Sequence, residues 1–366
     1  MTVEEYPVGP SVENLPYLHG APLATALMRC APEDFIVDEL LGFEPDKEGE
    51  HAFLHIRKRS TNTECVARQL ARIAGVPSRD VSYAGQKDRH AETTQWFSVR
   101  LAGKEMPDWQ SLVSPQIELI TVTRHGRKLR RGALQGNRFT LTLRSVEGDV
   151  PGIVARLQNI KSEGIPNYFG EQRFGRNNLG DAAMMLSGRK RVKRHQRSMY
   201  LSAARSMLFN SVLAKRLDAG EGLQPISGDI MMLEGSHSIF SIDEVDDEIN
   251  QRFIAGDIHP AGPMWGRGEL KSTGAAYQLE DTVLSDYSQW CLGLEDAGLD
   301  QQRRSIRVIP GELSWEILPE EANSTNQIAQ AMRISFNLPA GCYATSVLRE
   351  CFICRSGVGV EPANQP

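Results

Sequence analysis

"NRFTLTLRSV" (137–146) decides the fold class of the larger part of this chain. Phe139, Leu141 and Leu143 alternate with polar residues, which is the period of a strand with one face buried and the other wet. Strands of parallel sheets are covered on both faces and read as continuous apolar runs, so this pattern predicts an antiparallel sheet. Upstream, "DFIVDELL" (34–41), "EHAFLHIRKRS" (50–60), "VSYAG" (81–85) and "TQWFSVRL" (94–101) read as further strands. Between them "TNTECVARQLARIAGVP" (61–77) predicts a helix, with a capping box at Thr61 and Glu64 and a stop at Gly75 and Pro77. Strands of this kind with helices against them make an α+β domain with a largely antiparallel sheet.

Downstream the texture changes. A helix over "VPGIVARLQNIKSEG" (150–164) leads into a Gly-rich aromatic segment, "IPNYFGEQRFGRNNLG" (165–180). "SMYLSAARSMLFNSVLAKRL" (198–217) then places Leu201, Ala204, Leu208, Val212 and Leu213 on one helical stripe, which is core patterning. After Pro310, "RISFNLPAGCYATSVLREC" (333–351) returns to a strand followed by a helix. The expected organisation is therefore discontinuous, with residues 1–162 and 309–366 in one domain and 163–308 inserted as an α/β domain. The tail "SGVGVEPANQP" (356–366) reads as disordered.

At 366 residues, 40% hydrophobic and 24% charged, the chain can build two cores. Its mean hydropathy is −0.35. No apolar run reaches the roughly 18 residues of a membrane helix. The opening "MTVEEYPVGP" carries acids where a secretory leader carries cations, so the expected compartment is the cytosol. "NST" at Asn323 is then not a glycosylation site. The six cysteines suit a reducing compartment. Cys351 and Cys354 read as two thiols one turn apart on a buried helix, and without a second pair they do not make a zinc site. His51 and His55 read as same-face residues of a strand. No glycine-rich phosphate loop occurs, and no metal site is expected.

The net charge of −5 argues against a polyanion partner, but its distribution argues for one. "RHGRKLRR" (124–131) contributes Arg124, Arg127, Lys128, Arg130 and Arg131, and "RKRVKRHQR" (189–197) contributes Arg189, Lys190, Arg191, Lys193, Arg194 and Arg197. Neither run holds an acid, whereas the rest of the chain has 30 basic residues against 46 acidic ones. A charge run is usually a solvated face. Two acid-free runs in an otherwise acidic chain point instead to nucleic acid.

"YAGQKDRHAETTQWFSV" (83–99) carries the sharpest chemical candidate, Asp88, set between Lys87 and Arg89. Taken alone, a Lys-Asp-Arg loop is a solvated charge cluster. Its surroundings lift that reading, because the chain resembles the TruD family of tRNA pseudouridine synthases in an ordered set of blocks. These are "PEDF" (32–35), "AGQKDRHA" (84–91), "GALQGNRFTL" (132–141), "PNYFGEQRFG" (166–175), "LSAARS" (201–206) and "LPAGCYATSVLRE" (338–350). The resemblance implies a pseudouridine-synthase-like catalytic domain with an inserted domain, acting without a cofactor on uridine at position 13 of tRNA. It makes Asp88 the catalytic aspartate and assigns Phe35, Asn137 and Tyr343 to the target nucleotide. Tyr343 stands where the family more often has phenylalanine, and its hydroxyl needs a partner if buried. Phe139 shares a strand face with Asn137 and would line the same pocket.

The residue types fit that chemistry. An ionised carboxylate can attack the ring or the ribose, or stabilise an intermediate, and a nearby cation favours its charged form. Lys87 is adjacent in sequence, but neighbours on a strand point to opposite faces, so Lys87 is not assumed to be the partner and the cation stays open. A base lying inside folded RNA has to be extruded, stacked on aromatic faces and read at its edge. Tyr168, Arg173 and Phe174 could contact RNA or pack a domain junction. A non-catalytic RNA-binding protein on the same fold and an aspartate-dependent nucleoside hydrolase are the competing readings. The complete motif around Asp88 counts against the first, and the basic runs count against the second.

Overall fold

The computed structural model describes residues 6–175, 177–319 and 330–357. From the N-terminus the chain forms β1 (Ala24–Met28), β2 (Phe35–Leu40), β3 (His51–Arg59), α1 (Thr63–Ala74), β4 (Val81–Tyr83), β5 (Glu92–Arg100), β6 (Ile117–His125) and β7 (Gly136–Gly148). Then follow α2 (Val150–Glu163), β8 (Ile165–Pro166), α3 (Glu171–Phe174), α4 (Asn178–Leu186), α5 (Arg194–Asp218), β9 (Ile230–Leu233), β10 (Ile239–Ser241) and α6 (Asp247–Ile254). The chain continues through β11 (Ile258–Met264), α7 (Gly274–Ser285), α8 (Ser288–Asp296), β12 (Gln302–Ser305) and β13 (Arg307–Val308). It closes with β14 (Gly311–Pro319), β15 (Gln330–Pro339), α9 (Ala344–Arg349) and β16 (Phe352–Ser356). Asn323 and residues 358–366 lie outside the described residues. Among the described residues no helix is long and apolar enough to cross a membrane.

These elements fall into two compact units. Of the described residues, the sheet unit takes those within Pro22–Val154, Pro310–Gly341 and Phe352–Pro366, and the helical unit those within Met1–Ala21, Ala155–Ile309 and Cys342–Cys351. Three segments that the sequence reading grouped with the strands, 6–21, 155–162 and 342–351, thus belong to the helical unit. For the first and last the reason is apolar: Leu15 is buried among Tyr168, Phe209 and Leu213, and Tyr343 packs on the same cluster.

The sheet unit is built on the order β14-β15-β7-β2-β5-β3-β6, with β1 beside β7 and β16, and β4 beside β5. Only β2–β5 and β1–β16 run parallel; the other described pairs are antiparallel, as the alternation in β7 predicts. One row across the sheet aligns Phe336, Phe139, Val37, Thr93 and Lys58 on a single face. Further along that face Ala52, Leu54 and Ile56 of β3 pack on Val66 and Leu70 of α1. Gly136 has to be glycine for close approach, since a Cβ there would meet the Leu338 carbonyl at 2.2 Å.

Two local expectations need correction. The N-cap of α1 is Asn62 rather than Thr61, because the Thr61 hydroxyl donates back to the Arg59 carbonyl (2.9 Å) and Glu64 accepts from Gln86 instead. The stop at Gly75 is as expected, in the left-handed region with φ 59°. The Cys351/Cys354 pair is not helical. Helix α9 ends at Arg349, and the chain turns at Cys351 into β16, where Cys354 pairs with Ala26 of β1.

The helical unit is organised by α5, whose Leu201, Ala204, Leu208, Val212 and Leu213 are all buried. One side of α5 packs with Val283, Leu284 and Trp290, and Phe209 and Leu213 pack with Tyr168 and Phe169. A four-stranded antiparallel sheet, β10-β9-β11-β12, completes the unit.

Candidate functional site

Asp88 sits in the loop between β4 and β5, and that loop is tied down residue by residue onto the face shared by Lys58, Thr93 and α1. Gln95 Nε2 donates to the Gly85 carbonyl (3.2 Å), and the Lys87 amide donates to Thr63 Oγ1 (3.1 Å). The Thr63 hydroxyl in turn donates to Gln95 Oε1 (2.8 Å). Lys58 Nζ donates to the main-chain carbonyl of Asp88 itself (3.0 Å). The strongest tie is a buried ion pair between Lys87 Nζ and Glu39 Oε2 at 2.7 Å, whose side chains are 8% and 0% exposed. Glu39 Oε1 also accepts from the Trp96 amide (3.2 Å). Lys87 thus turns inward and anchors the loop. Asp88 is left with its carboxylate 38% exposed.

The cation that Asp88 uses is Arg29, at 2.5 Å from Nη2 to Oδ2. A guanidinium at this distance makes a charge-assisted hydrogen bond that fixes where the carboxylate points. Arg29 has φ 63°, which for an arginine is a strained conformation, and the turn after it explains how that is held. Buried Asp34 accepts from the Ala31 amide (2.9 Å) and from Arg144 Nε and Nη2 (3.0 and 2.7 Å). This clamps "PEDF" and delivers Phe35 at the start of β2. The Arg29 guanidinium then lies 4.0 Å from the Phe35 ring centre. One guanidinium therefore touches both the carboxylate and the aromatic face.

The Phe35 ring meets the Phe139 ring edge-on at 6.4 Å, and Phe139 meets Phe336 at 5.6 Å. Asn137 lies two residues from Phe139 on the same strand face, in register with Glu39 and Leu338. Its Oδ1 is buried and has no hydrogen-bond partner, and the same holds for Arg29 Nε and Thr93 Oγ1. Buried polar groups are nearly always satisfied; the described residues of the sheet unit also leave His51 Nδ1 and His55 Nε2 without a partner, so such atoms are not confined to this site. Phe35 and Phe139 are 3% and 8% exposed and Arg29 lies on the Phe35 ring, so a planar ring reaches those faces and the buried Asn137 Oδ1 only when side chains move, whereas the Asp88 carboxylate is accessible as it stands. Among the described residues no cluster of His, Cys, Asp or Glu could hold a metal ion.

The structure thus brings Asp88, Phe35, Asn137 and Phe139 into one unit. Tyr343 belongs to the helical unit, where its hydroxyl accepts from Arg173 Nε (3.1 Å) while Arg173 also donates to Ser202 Oγ (2.9 Å). The partner that the extra hydroxyl demanded is therefore present. Tyr168 and Phe169 are core residues of that unit, and burial pushes the Tyr168 phenol upward from its ordinary pKa.

The first basic run lies along the end of β6 and the loop to β7. Leu129 is its buried anchor, Lys128 donates to the Arg79 carbonyl, and Gly132 donates to Ala84 at the start of the Asp88 loop. The second run links α4 to α5. There Lys190 pairs with Asp181 (2.6 Å), an ion pair that lowers the Asp181 pKa and raises that of Lys190. Arg197 donates to the Ala297 carbonyl. Arg29, Lys58, Glu39, Thr63 and Gln95 escaped the sequence reading. Only Lys58 left a signal: it occupies the next inward position after Ala52, Leu54 and Ile56, where an apolar residue is expected.

The model of the family described as tRNA pseudouridine synthase D (TruD) matches residues 11–184 and 179–351. The tRNA pseudouridine synthase D of Methylococcus capsulatus is 48% identical over 348 residues, covering 94% of this chain and 96% of that protein. The Nitrosococcus oceani protein of the same name is 49% identical over 349 residues, covering 94% and 95%. A crystal structure from Methanosarcina mazei described as a tRNA pseudouridine synthase D superposes with a TM-score of 0.72 at 22% identity, covering 92% of this chain and 95% of that one.

Proposed function

The chain belongs to the TruD family of tRNA pseudouridine synthases, and on that premise we propose that it isomerises uridine to pseudouridine in tRNA, with Asp88 as the nucleophile. By the family resemblance the target is position 13. The sheet unit is the catalytic domain in this reading, and the body of the helical unit (155–309) is its insertion. The reaction breaks the N1–C1′ bond, turns the uracil and forms a C5–C1′ bond; C5 loses a proton and N1 gains one, with no net redox change. A carboxylate held in place by Arg29 can bond covalently to the substrate while the ring is loose. Phe35 and Phe139 supply faces against which the base rests, and Asn137 Oδ1 accepts from its N–H edge. The resemblance adds Tyr343 to nucleotide binding. The two basic runs take tRNA phosphates, which makes affinity fall with salt.

The observation that carries this reading is the convergence of Arg29 on both Asp88 and Phe35. The test is to incubate the protein with unmodified tRNA and map pseudouridine by chemical labelling or mass spectrometry. A single modified uridine is expected. Modified RNA absent at enzyme excess, with binding intact, supports the non-catalytic alternative and overturns this one.

A further inference from the structure

We propose that Lys58 is a positioning residue for the reaction: a buried ammonium under the loop that fixes the Asp88 main chain and adds a second positive charge behind its carboxylate. The inference rests on the reading of Asp88 as the reactive group. Lys58 is 0% exposed. It extends the inward face of β3 after Ala52, Leu54 and Ile56, and its cross-strand neighbours are Thr93 and Ile117, both buried and uncharged. Among the described residues the Asp88 carbonyl is its only hydrogen-bond acceptor. The one buried carboxylate of the loop's anchorage, Glu39, is already taken by Lys87.

An ammonium buried without a carboxylate bonded to it is costly. A methionine would fill the same space without that cost, so stability alone does not account for lysine here. The position does account for it. The bond lands on the backbone of the residue whose side chain has to be placed, and the charge lies beneath the loop that carries the carboxylate.

The charged groups that face Lys58 are Asp88 and Lys87, both from the loop. Burial pulls the Lys58 pKa down to about 8, Asp88 opposes the drop and Lys87 adds to it. Lys58 therefore gives up its charge within a working pH range.

The experiment compares wild type, Lys58→Met and Asp88→Ala by single-turnover pseudouridine formation with enzyme in excess over tRNA, alongside tRNA binding, from pH 6.5 to 9.5 (~). For Lys58→Met the expected result is unchanged tRNA affinity and a rate lower by about 10- to 100-fold, the range for losing a hydrogen bond to a charged group. Wild type should show a falling alkaline limb centred near the Lys58 value of about 8, and the variant should lack it. Any limb from titration of the uracil itself remains in both. A Lys58→Met rate near wild type with the limb intact overturns the proposal. If that variant does not fold, a wild-type rate that stays level across this window overturns it by itself. Activity in Asp88→Ala refutes the underlying reading instead, which separates the two failures.

Discussion

Replacing Lys87 by methionine tests whether the loop is held as its contacts indicate. The substitution leaves the Glu39 carboxylate fully buried with the Trp96 amide, at 3.2 Å, as its remaining donor. Breaking a buried ion pair by removing one partner costs about 3–5 kcal/mol, because an uncompensated charge stays behind. The loop's other ties are the bonds from Gln95 to Gly85, from the Lys87 amide to Thr63 and from Lys58 to Asp88. At about 1 kcal/mol each they sum to about 3 kcal/mol. The penalty matches or exceeds what is left, so the loop should detach locally before the unit unfolds. Hydrogen exchange followed by mass spectrometry over peptides spanning 84–97 reads this directly. At about 1.4 kcal/mol per decade, exchange in Lys87→Met should accelerate by roughly two to three and a half decades. The double variant Lys87→Met/Glu39→Gln removes the stranded charge and should recover most of the protection. Exchange within threefold (~) of wild type in the single variant, or additive effects in the double, would refute the account of the anchor.

Asp34→Ala should lower the urea stability of the sheet unit by about 1–3 kcal/mol, because the Ala31 amide loses its acceptor while half-exposed Arg144 can return to water. It should also slow single-turnover formation of pseudouridine, since the turn that aims Arg29 and Phe35 loosens. Tyr343→Phe should cost no more than about 1.5 kcal/mol and keep most activity, because Arg173 retains Ser202; a total loss of activity would contradict this. Since Lys58 is lowered from 10.5 to about 8 in the fold, the folded state binds fewer protons than the unfolded chain between those values. Its contribution to stability should therefore be flat below pH 8 and rise towards 10.5, a gain over Lys58→Met that urea titrations across the window can read. Neutralising Arg189, Arg191, Lys193 and Arg194 together should weaken tRNA binding and reduce its salt slope by about 0.7–0.9 per lost phosphate contact. An unchanged slope would remove that run from the interface.

The fold class was legible because alternation is a local property. β7 reads as a one-face strand from its own ten letters, and Leu201 to Leu213 declare the buried stripe of α5 in the same way. What pairs across the chain was not legible. Arg29 finds Asp88 through a left-handed turn, a clamp on Asp34 and a sheet register, and no spacing in the sequence encodes that meeting. The inward turn of Lys87 was not legible, since strand alternation does not extend to the loop between β4 and β5 and says nothing of Glu39. Asn62 displaced Thr61 as the α1 cap because a back-bond to Arg59 competed for the threonine hydroxyl. The C-x-x-C pair misled for a related reason: the helical pattern before it stops at Arg349, and a strand register with β1 takes over. Lys58 could have been found, because a lysine that continues an apolar face is an anomaly with a physical cost.

The central claim is that Asp88 performs the chemistry while the rest of the surface holds the RNA. It is tested most directly by Asp88→Ala, with tRNA affinity measured beside single-turnover pseudouridine formation. Alanine is preferred to asparagine, which can deamidate back to aspartate. Binding is spread over many phosphate contacts, so affinity should hold or tighten slightly as one negative charge leaves the site, and no pseudouridine should form. Activity within tenfold (~) of wild type would contradict the account and return Asp88 and Arg29 to the status of a surface ion pair.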